Sequence, residues 1–480
     1  MLEEKLKFMN KLFYGAIGSG LILTSCGVVI KEKAMEQRPP NIIFILADDL
    51  GYGDLSFLGQ QKFATPNIDR LAAEGLVFTQ HYAGSTVCAP SRSSLMTGQH
   101  TGHTYVRGNR EIQPEGQEPL PANTFTVARM LQQAGYATGA FGKWGLGFPG
   151  SEGDPNNQGF DEFFGFNCQR LGHHYYPWYL WHNQKKVILE GNAGTATGQY
   201  APDVIHAEAL KFMENNKDKP FFMYYPTIIP HAELFAPEKY MEKYRGKFLP
   251  EKVYEGYDEG PLYRLGPYGS QPESHAAHAA LINVLDDHVG EIISKLKKHG
   301  IDRNTLVIFT SDNGTHLEGG ANPDYFNSNG PFRGYKRDLY EGGIRVPFIA
   351  WWPGKIRPGN TDHISAFWDF MPTVAELIQD EKPTGIDGIS YLPTFLGNQG
   401  KQEKHGYLYW EFHEKGLTQA IRMNNWKAIR KGIAGTIELY DLSTDIGETT
   451  DLAGTNIETV AKVKEILAGA RTESALWPVN

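Results

Sequence analysis

The chain has little cysteine, no excess of basic residues and no hydrophobic run long enough to span a membrane. Only three of its 480 residues are cysteines, too few for the disulfide framework that stabilises many exported domains. Its formal net charge is -9, which argues against nucleic-acid binding, because that binding requires basic surface. With 41% hydrophobic residues and this length, we expect a large globular domain followed by a smaller one.

The apolar run at the N-terminus covers residues 12–24 and is too short to cross a bilayer. Three lysines precede it, so we predict a secretory signal peptide over residues 1–26. The string LTSC at 23–26 is similar to a bacterial lipobox, in which Cys26 would carry lipid; the alternative is a plain signal peptide. We therefore expect export to the periplasm of a Gram-negative bacterium, or anchoring there as a lipoprotein, with residues 27–40 as a tether.

Four apolar or aromatic runs each lead to polar residues that could support chemistry. Continuous apolar runs are typical of strands buried on both faces of a parallel sheet. Helical patterns lie between them, so the alternation predicts an open α/β sheet, in which ligands bind beyond the carboxyl ends of the strands. The runs are 41–47 before Asp48 and Asp49, 136–141 before Lys143, 221–225 before His231, and 306–310 before Asp312 and Asn313.

The remaining patterns predict the helices and the domain boundaries. We expect a catalytic domain over 41–380, a connector over 381–402 that is rich in glycine and proline, and a C-terminal subdomain over 403–480. In that subdomain, four short runs separated by turn residues predict an antiparallel sheet. The predicted helices are 67–74, 124–134, 206–216, 278–299, 362–378 and 457–471.

The most specific motif is CAPSR at 88–92, followed by LMTG at 95–98. Pro90 suits the first turn of a helix, which Gly98 would end. Cys88 would then lie at a helix N-terminus, where free N–H groups and the helix dipole favour an anion. A lone cysteine is more often a buried structural residue, but this string resembles the Cys-x-Pro-Ser-Arg signature of the type I sulfatases. The similarity extends from about residue 41 to the C-terminus.

The resemblance implies a fold and a reaction. The fold would be α/β: an alkaline-phosphatase-like large domain with a mixed, mainly parallel sheet flanked by helices, plus a small C-terminal α+β subdomain with an antiparallel sheet. A formylglycine-generating maturation enzyme would oxidise Cys88 to formylglycine (3-oxoalanine), whose hydrated aldehyde attacks the sulfur of a sulfate ester. Arg92, with its planar guanidinium, would bind the sulfate.

The resemblance also implies a calcium site. Its four ligands would be hard oxygen donors, which suit Ca²⁺ better than a transition metal. Because two of them follow one predicted strand and two follow another, neighbouring strands would bring them together. The implied ligands are Asp48, Asp49, Asp312 and Asn313.

Further residues match catalytic positions of the family. Lys143 and Lys336 match two lysines of the sulfate pocket, and His231 matches the histidine that protonates the leaving oxygen. One departure stands out, because Gly145 occupies a position that is often histidine in the family and that is implicated in sulfate release. The residues that could take over this role are His316, His173 and His174.

The segment 150–178 resembles a branch of bacterial sulfatases that act on host or algal polysaccharides. Aromatic side chains interleaved with polar ones can stack on sugars and bind their hydroxyls, although the segment could also simply pack on the sheet. We expect an exo-acting enzyme for sulfated galactose or N-acetylgalactosamine, with O4 as the leading position. The predicted substrate contacts are Arg170, His173, His174 and His316.

Two alternatives remain at this point. A phosphoesterase of the same superfamily would use two zinc ions, several histidines and an unmodified serine or threonine. The chain instead offers Asn313 and Lys336, and its sequence contains no Asp-x-His-x₃-His string. A sulfated-glycan-binding pseudoenzyme is the second alternative, because the histidine expected at Gly145 is missing.

Overall fold

The computed structural model describes residues 38–414 and 416–479. The predicted signal peptide, Cys26 and most of the predicted tether lie outside these ranges. Within them, every helix is either too short or too polar to cross a bilayer.

Twelve strands belong to the large domain in the described ranges, and ten of them form one mixed sheet. In chain order they are β1 (Asn41–Ala47), β2 (Leu76–Phe78), β3 (His81–Tyr82), β4 (Ala137–Lys143), β5 (Glu162–Phe166), β6 (Tyr179–His182), β7 (Lys185–Ile188), β8 (Phe221–Pro226), β9 (Thr305–Ser311), β10 (Phe348–Trp351), β11 (Gly359–Thr361) and β12 (Ser365–Ala366). The order in the sheet is β11-β2-β10-β9-β1-β8-β4-β5-β6-β7, and β3 pairs separately with β12.

The four runs singled out in the sequence are the four adjacent strands β9, β1, β8 and β4, which are mutually parallel. Their carboxyl ends therefore lie at one edge of the sheet, as predicted. β4 continues two residues beyond the predicted run, which makes Lys143 its last residue.

Helices cover both faces of this sheet. The helices of the large domain are α1 (Pro66–Glu74), α2 (Cys88–Thr97), α3 (Val127–Gln133), α4 (Ala201–Asn216), α5 (Glu238–Tyr244), α6 (Ser274–His299), α7 (Pro323–Phe326), α8 (Glu341–Ile344), α9 (Phe370–Leu377) and α10 (Leu392–Phe395). A further helix, α11 (Ile457–Gly469), belongs to the C-terminal subdomain. Successive side chains of β1 point to opposite faces. Ile43 and Ile45 join a core with α4 and α6, and Phe44 and Leu46 join a core with α2, α3 and α9. The predicted α/β architecture is confirmed.

The sequence interpretation was wrong over 362–378, where only the second half is the helix α9. The first half contains β12 and a tight turn, because the Asp369 carboxylate accepts hydrogen bonds from the backbone N–H groups of Ala366 and Ile389. Within the stretch predicted as a connector, α10 is packed rather than extended. Its Phe395 is buried and stacks against Phe348 of the sheet.

The predicted antiparallel sheet near the C-terminus is also present. Its strands are β13 (Leu408–Phe412), β14 (Thr418–Met423), β15 (Trp426–Lys431) and β16 (Ile437–Asp441), paired in that order. One face packs on α11 through Val463 and Leu467. The other face packs on the large domain, where Trp410 meets Tyr82 and Trp368.

Candidate active site

Two pairs of oxygen-bearing residues meet at the carboxyl edge of the sheet. Asp48 and Asp49 follow β1, and Asp312 and Asn313 follow its parallel neighbour β9. The Asp49 backbone N–H donates to Asp312 Oδ1 at 3.1 Å, and Asn313 Nδ2 donates to Asp49 Oδ1 at 2.7 Å. All four side chains are buried. Parallel strand pairing therefore gathers the four residues that the resemblance assigns to calcium.

This donor set is suited to a hard cation. Burial and the nearby Asp48 charge raise the pKa of Asp312 to about 7, which reflects the crowding of carboxylates in a site shielded from water. The Oδ1 atom of Asn313 is buried and has no hydrogen-bond partner among the described residues. A bound cation would relieve the repulsion and give this oxygen a partner. The residues present therefore fit a calcium ion.

Cys88 lies beside this group, as the first residue of α2. Val87 before it is extended, and Gly98 ends the helix in the left-handed region with φ 69°, as the motif predicted. The Sγ atom lies 3.4 Å from both Asp48 Oδ1 and Lys143 Nζ. Burial and the Asp48 charge raise the pKa of the Cys88 thiol well above its ordinary value, so an unmodified thiol there is protonated and weakly nucleophilic.

Three buried cationic side chains lie around Cys88. Arg92 Nη2 donates to Asp312 Oδ2 at 2.7 Å, Lys143 Nζ to Asp48 Oδ2 at 2.6 Å, and Lys336 Nζ to Asp49 Oδ2 at 2.8 Å. Burial by itself would raise the pKa of Asp48, but the positive charges around it, led by Lys143, hold that pKa well below its usual range. Each cation is thus fixed beside Cys88 by one of the candidate metal ligands.

His231 lies beside these cations, and its ring is held between two other histidines. The ring of His173 stacks on it at 4.6 Å between centroids, and that of His316 at 5.6 Å. Lys336 Nζ lies 2.9 Å from His231 Nε2. Burial and the charges of Lys336 and Lys143 lower the pKa of His231 well below its ordinary value, so the imidazole is neutral at pH 7.

The space expected for a histidine at position 145 is occupied by the side chain of Gln169. A Cβ atom placed on Gly145 would lie 1.9 Å from Gln169 Nε2. Of the three histidines considered for this role, His173 and His316 stack on His231, and His174 accepts a hydrogen bond from the backbone N–H of Gly266. Sequence reasoning missed Gln169, although it is part of the polar segment that was singled out.

A cavity of about 480 Å³ leads from Cys88 to the surface. The loop 262–268 lines this cavity together with Glu318 and Arg337, which sequence reasoning also missed. Of the predicted sugar contacts, Arg170 and His173 line the cavity. The guanidinium of Arg170 is engaged with protein atoms, donating to the carbonyls of Leu265 and Pro114 and pairing with Glu111.

Comparison with known proteins agrees with this geometry. Residues 40–380 match the family described as Sulfatase, and residues 331–473 match the C-terminal family described as N-sulphoglucosamine sulphohydrolase. The chain is 30% identical to N-acetylgalactosamine-6-sulfatase of Mus musculus, over 93% of this chain and 82% of the relative. It is 29% identical to N-acetylgalactosamine-6-O-sulfatase of Bacteroides thetaiotaomicron, over 94% and 97%.

The solved structures include Ps i-CgsB in complex with k-i-k-neocarrahexaose, which superposes with a TM-score of 0.75 at 29% identity. That superposition covers 92% of this chain and 95% of the other. The topology is thus the alkaline-phosphatase-like α/β fold. The chain belongs to the sulfatase family and is a sulfuric ester hydrolase.

Proposed function

We propose that this enzyme hydrolyses sulfate monoesters of carbohydrates at Cys88, after that residue has been converted to formylglycine, with a calcium ion beside it. The observation that carries the proposal is the placement of Cys88 Sγ 3.4 Å from both a carboxylate and a lysine, at the start of a buried helix. A helix N-terminus and fixed cations suit a sulfate group.

The aldehyde supplies a nucleophile when hydrated and also a route for sulfate to leave, which a serine cannot provide. Its formation requires a maturation enzyme acting on the exported or nascent chain. Asp48, Asp49, Asp312 and Asn313 would hold calcium, which supplies positive charge to a sulfate oxygen.

The remaining catalytic roles belong to cationic side chains and an acid of the protein itself. Arg92, Lys143 and Lys336 oppose the negative charge of the transferring sulfuryl group in a site shielded from water. Removing one such contact commonly costs on the order of a hundredfold to a thousandfold in rate. Lys336 and His231 form a hydrogen-bonded pair at 2.9 Å that can protonate the leaving oxygen of the sugar.

Sulfated galactose and N-acetylgalactosamine are the substrates we favour, at the end of a glycan chain. The two relatives above carry N-acetylgalactosamine 6-sulfatase names, and the solved structure holds a neocarrahexaose. Our sequence expectation was O4, whereas the names of the relatives point to O6, so both positions belong in the test. The cavity at Cys88, with a volume of about 480 Å³, has the size of a small-ligand pocket, which supports action on a terminal residue. We further propose export and lipid anchoring through Cys26.

The test is a desulfation screen of calcium-loaded protein whose formylglycine content has been verified, with galactose and N-acetylgalactosamine sulfated at O3, O4 or O6. Release of sulfate from at least one of them supports the proposal. Release of phosphate from phosphate esters, together with two bound zinc ions, would instead support the phosphoesterase. Binding of sulfated sugar without any release would identify a pseudoenzyme.

A further inference from the structure

The amide of Gln169 is buried at the active site without a partner. The side chain is only 6% exposed, yet neither Nε2 nor Oε1 forms a hydrogen bond to any described residue. Buried amides nearly always have partners, because an unpaired one costs free energy. Gln169 lines the same cavity as Cys88, His231 and Lys336, so a ligand in that cavity can provide what the protein does not.

The chain positions this amide from two sides. The backbone N–H of Gln169 donates to Gln117 Oε1 at 3.2 Å, and the next residue, Arg170, is bound to two backbone carbonyls. Gly145, with φ 77° and no Cβ, leaves room for the amide. Any side chain at position 145 would displace it.

We propose that the Gln169 carboxamide, which occupies the space left by Gly145, binds the sulfate group of the substrate and of the product, donating from Nε2 to a sulfate oxygen. The inference rests on the proposed function for its substrate. An amide can donate and accept hydrogen bonds, but it acts as neither an acid nor a base near neutral pH. Gln169 therefore orients and holds sulfate, and any proton transfer in sulfate release belongs to another group.

Binding of inorganic sulfate can test this without turnover. Calorimetry on the protein with unmodified Cys88 would compare wild type with Gln169→Met, which keeps the volume but loses the hydrogen bond. We expect the affinity for sulfate to fall on the order of tenfold or more, because the lost donor faced an anion. Gln169→Glu, which places a negative charge there, should lower it further. Gln158→Met is the matched control, since Gln158 is a buried glutamine outside the cavity.

A second variant leaves Gln169 in place. Gly145→Ala should displace the amide and weaken sulfate binding in the same way, so the test does not depend on one variant folding. Unchanged sulfate affinity in Gln169→Met or Gly145→Ala, at a wild-type melting temperature, would overturn the inference. In the formylglycine enzyme, the pH profile of kcat should keep its shape in Gln169→Met, whereas loss of one limb would show that Gln169 governs a proton transfer.

These outcomes are separable from the proposed function. Wild-type protein with verified formylglycine that releases no sulfate from any ester would refute the proposed function. The affinity of the unmodified protein for inorganic sulfate would still test whether Gln169 binds sulfate.

Discussion

Lys336 Nζ lies between His231 Nε2, at 2.9 Å, and Asp49 Oδ2, at 2.8 Å. Because the pKa of His231 is lowered and that of Lys336 is raised, the proton at this junction resides on the lysine, which donates to the imidazole. The acid that we propose for the leaving oxygen is therefore a lysine–histidine pair. The lysine is in turn held by a candidate calcium ligand.

Replacing His231 should slow hydrolysis most for substrates with poor leaving groups. We expect His231→Gln to lower kcat/KM for a sugar sulfate by about 10²- to 10⁴-fold, and to affect 4-nitrophenyl sulfate much less, because a phenoxide needs little protonation. Steady-state kinetics on both substrates measures the difference. His316→Gln is the control, since His316 stacks on the same ring but is not bonded to Lys336. Equal losses on both substrates would contradict the assignment.

Calcium should stabilise the folded protein through the carboxylates after β1 and β9. At a hundredfold excess over its Kd, a bound ion adds about 2.7 kcal/mol to the free energy of unfolding. We expect chelation to lower the melting temperature and abolish turnover. In Asp312→Asn, most of the rise in melting temperature on adding calcium should be lost. Asp161→Asn, which alters a carboxylate that accepts a hydrogen bond from the backbone N–H of Thr138 elsewhere, should keep that rise. A melting temperature indifferent to both calcium and chelation would refute the metal site.

The central strands and the charged residues of the site were predictable because both are local signals. An apolar run followed by an aspartate or lysine marks a buried strand and its carboxyl end, and parallel pairing of β9, β1, β8 and β4 then brings these ends together. Gln169 was not predictable in this way. Its proposed role depends on the space that Gly145 leaves for the amide. Gly145 is 24 residues away in the printed sequence, and the pairing of β4 with β5 brings the two segments together.

Long-range contacts also explain the difference at 362–378. The helix predicted over 362–378 has the right composition, but Asp369 bonds to the backbone at both Ala366 and Ile389 and so fixes a turn. Arg170 was predicted to contact the sugar as part of the polar and aromatic segment 150–178, and this stays a prediction. Its carbonyl partners Leu265 and Pro114 are far from it in sequence, so its engagement with them is a tertiary property.

Arg170 should act on substrate binding through the loop 262–268. Arg170→Met removes the donor to Leu265 O at 2.8 Å, and we expect KM to rise about tenfold with kcat nearly unchanged. Hydrogen exchange of the loop should increase in substrate-free protein. Arg129→Met is the control, because Arg129 also bonds to backbone carbonyls but lies outside the cavity. A raised KM without increased exchange would show instead that Arg170 contacts the sugar directly.

His81 should make the protein less stable in acid. It is fully buried, and burial lowers its pKa well below 6.5 in the folded protein. As the pH falls below 6.5, the unfolded chain therefore binds a proton that the folded protein does not. The free energy of unfolding then decreases by about 1.4 kcal/mol per pH unit for this residue.

Urea titrations at pH 7 and pH 5.5 measure this loss. His81→Gln preserves a polar partner for Ser365. Between pH 7 and pH 5.5, its free energy of unfolding should decrease by about 1 kcal/mol less than that of wild type. His182→Gln, at a half-exposed histidine, is the control for the substitution itself. An identical pH dependence in His81→Gln and wild type would show that His81 is protonated in the fold.

Cys88 provides the last and most direct test, because a serine at this position can accept a sulfuryl group but cannot release it by reforming a carbonyl. We expect Cys88→Ser to produce at most one equivalent of alcohol and to retain sulfate on the protein, whereas Cys88→Ala produces neither. Mass spectrometry of the peptide containing residue 88 detects the adduct, and in active wild-type enzyme it should find an aldehyde. Cys168→Ala removes the other cysteine of the described ranges, which is buried away from Asp48, and should leave turnover intact. Undiminished sulfate release by Cys88→Ala, or a fully occupied thiol in active enzyme, would show that the nucleophile lies elsewhere.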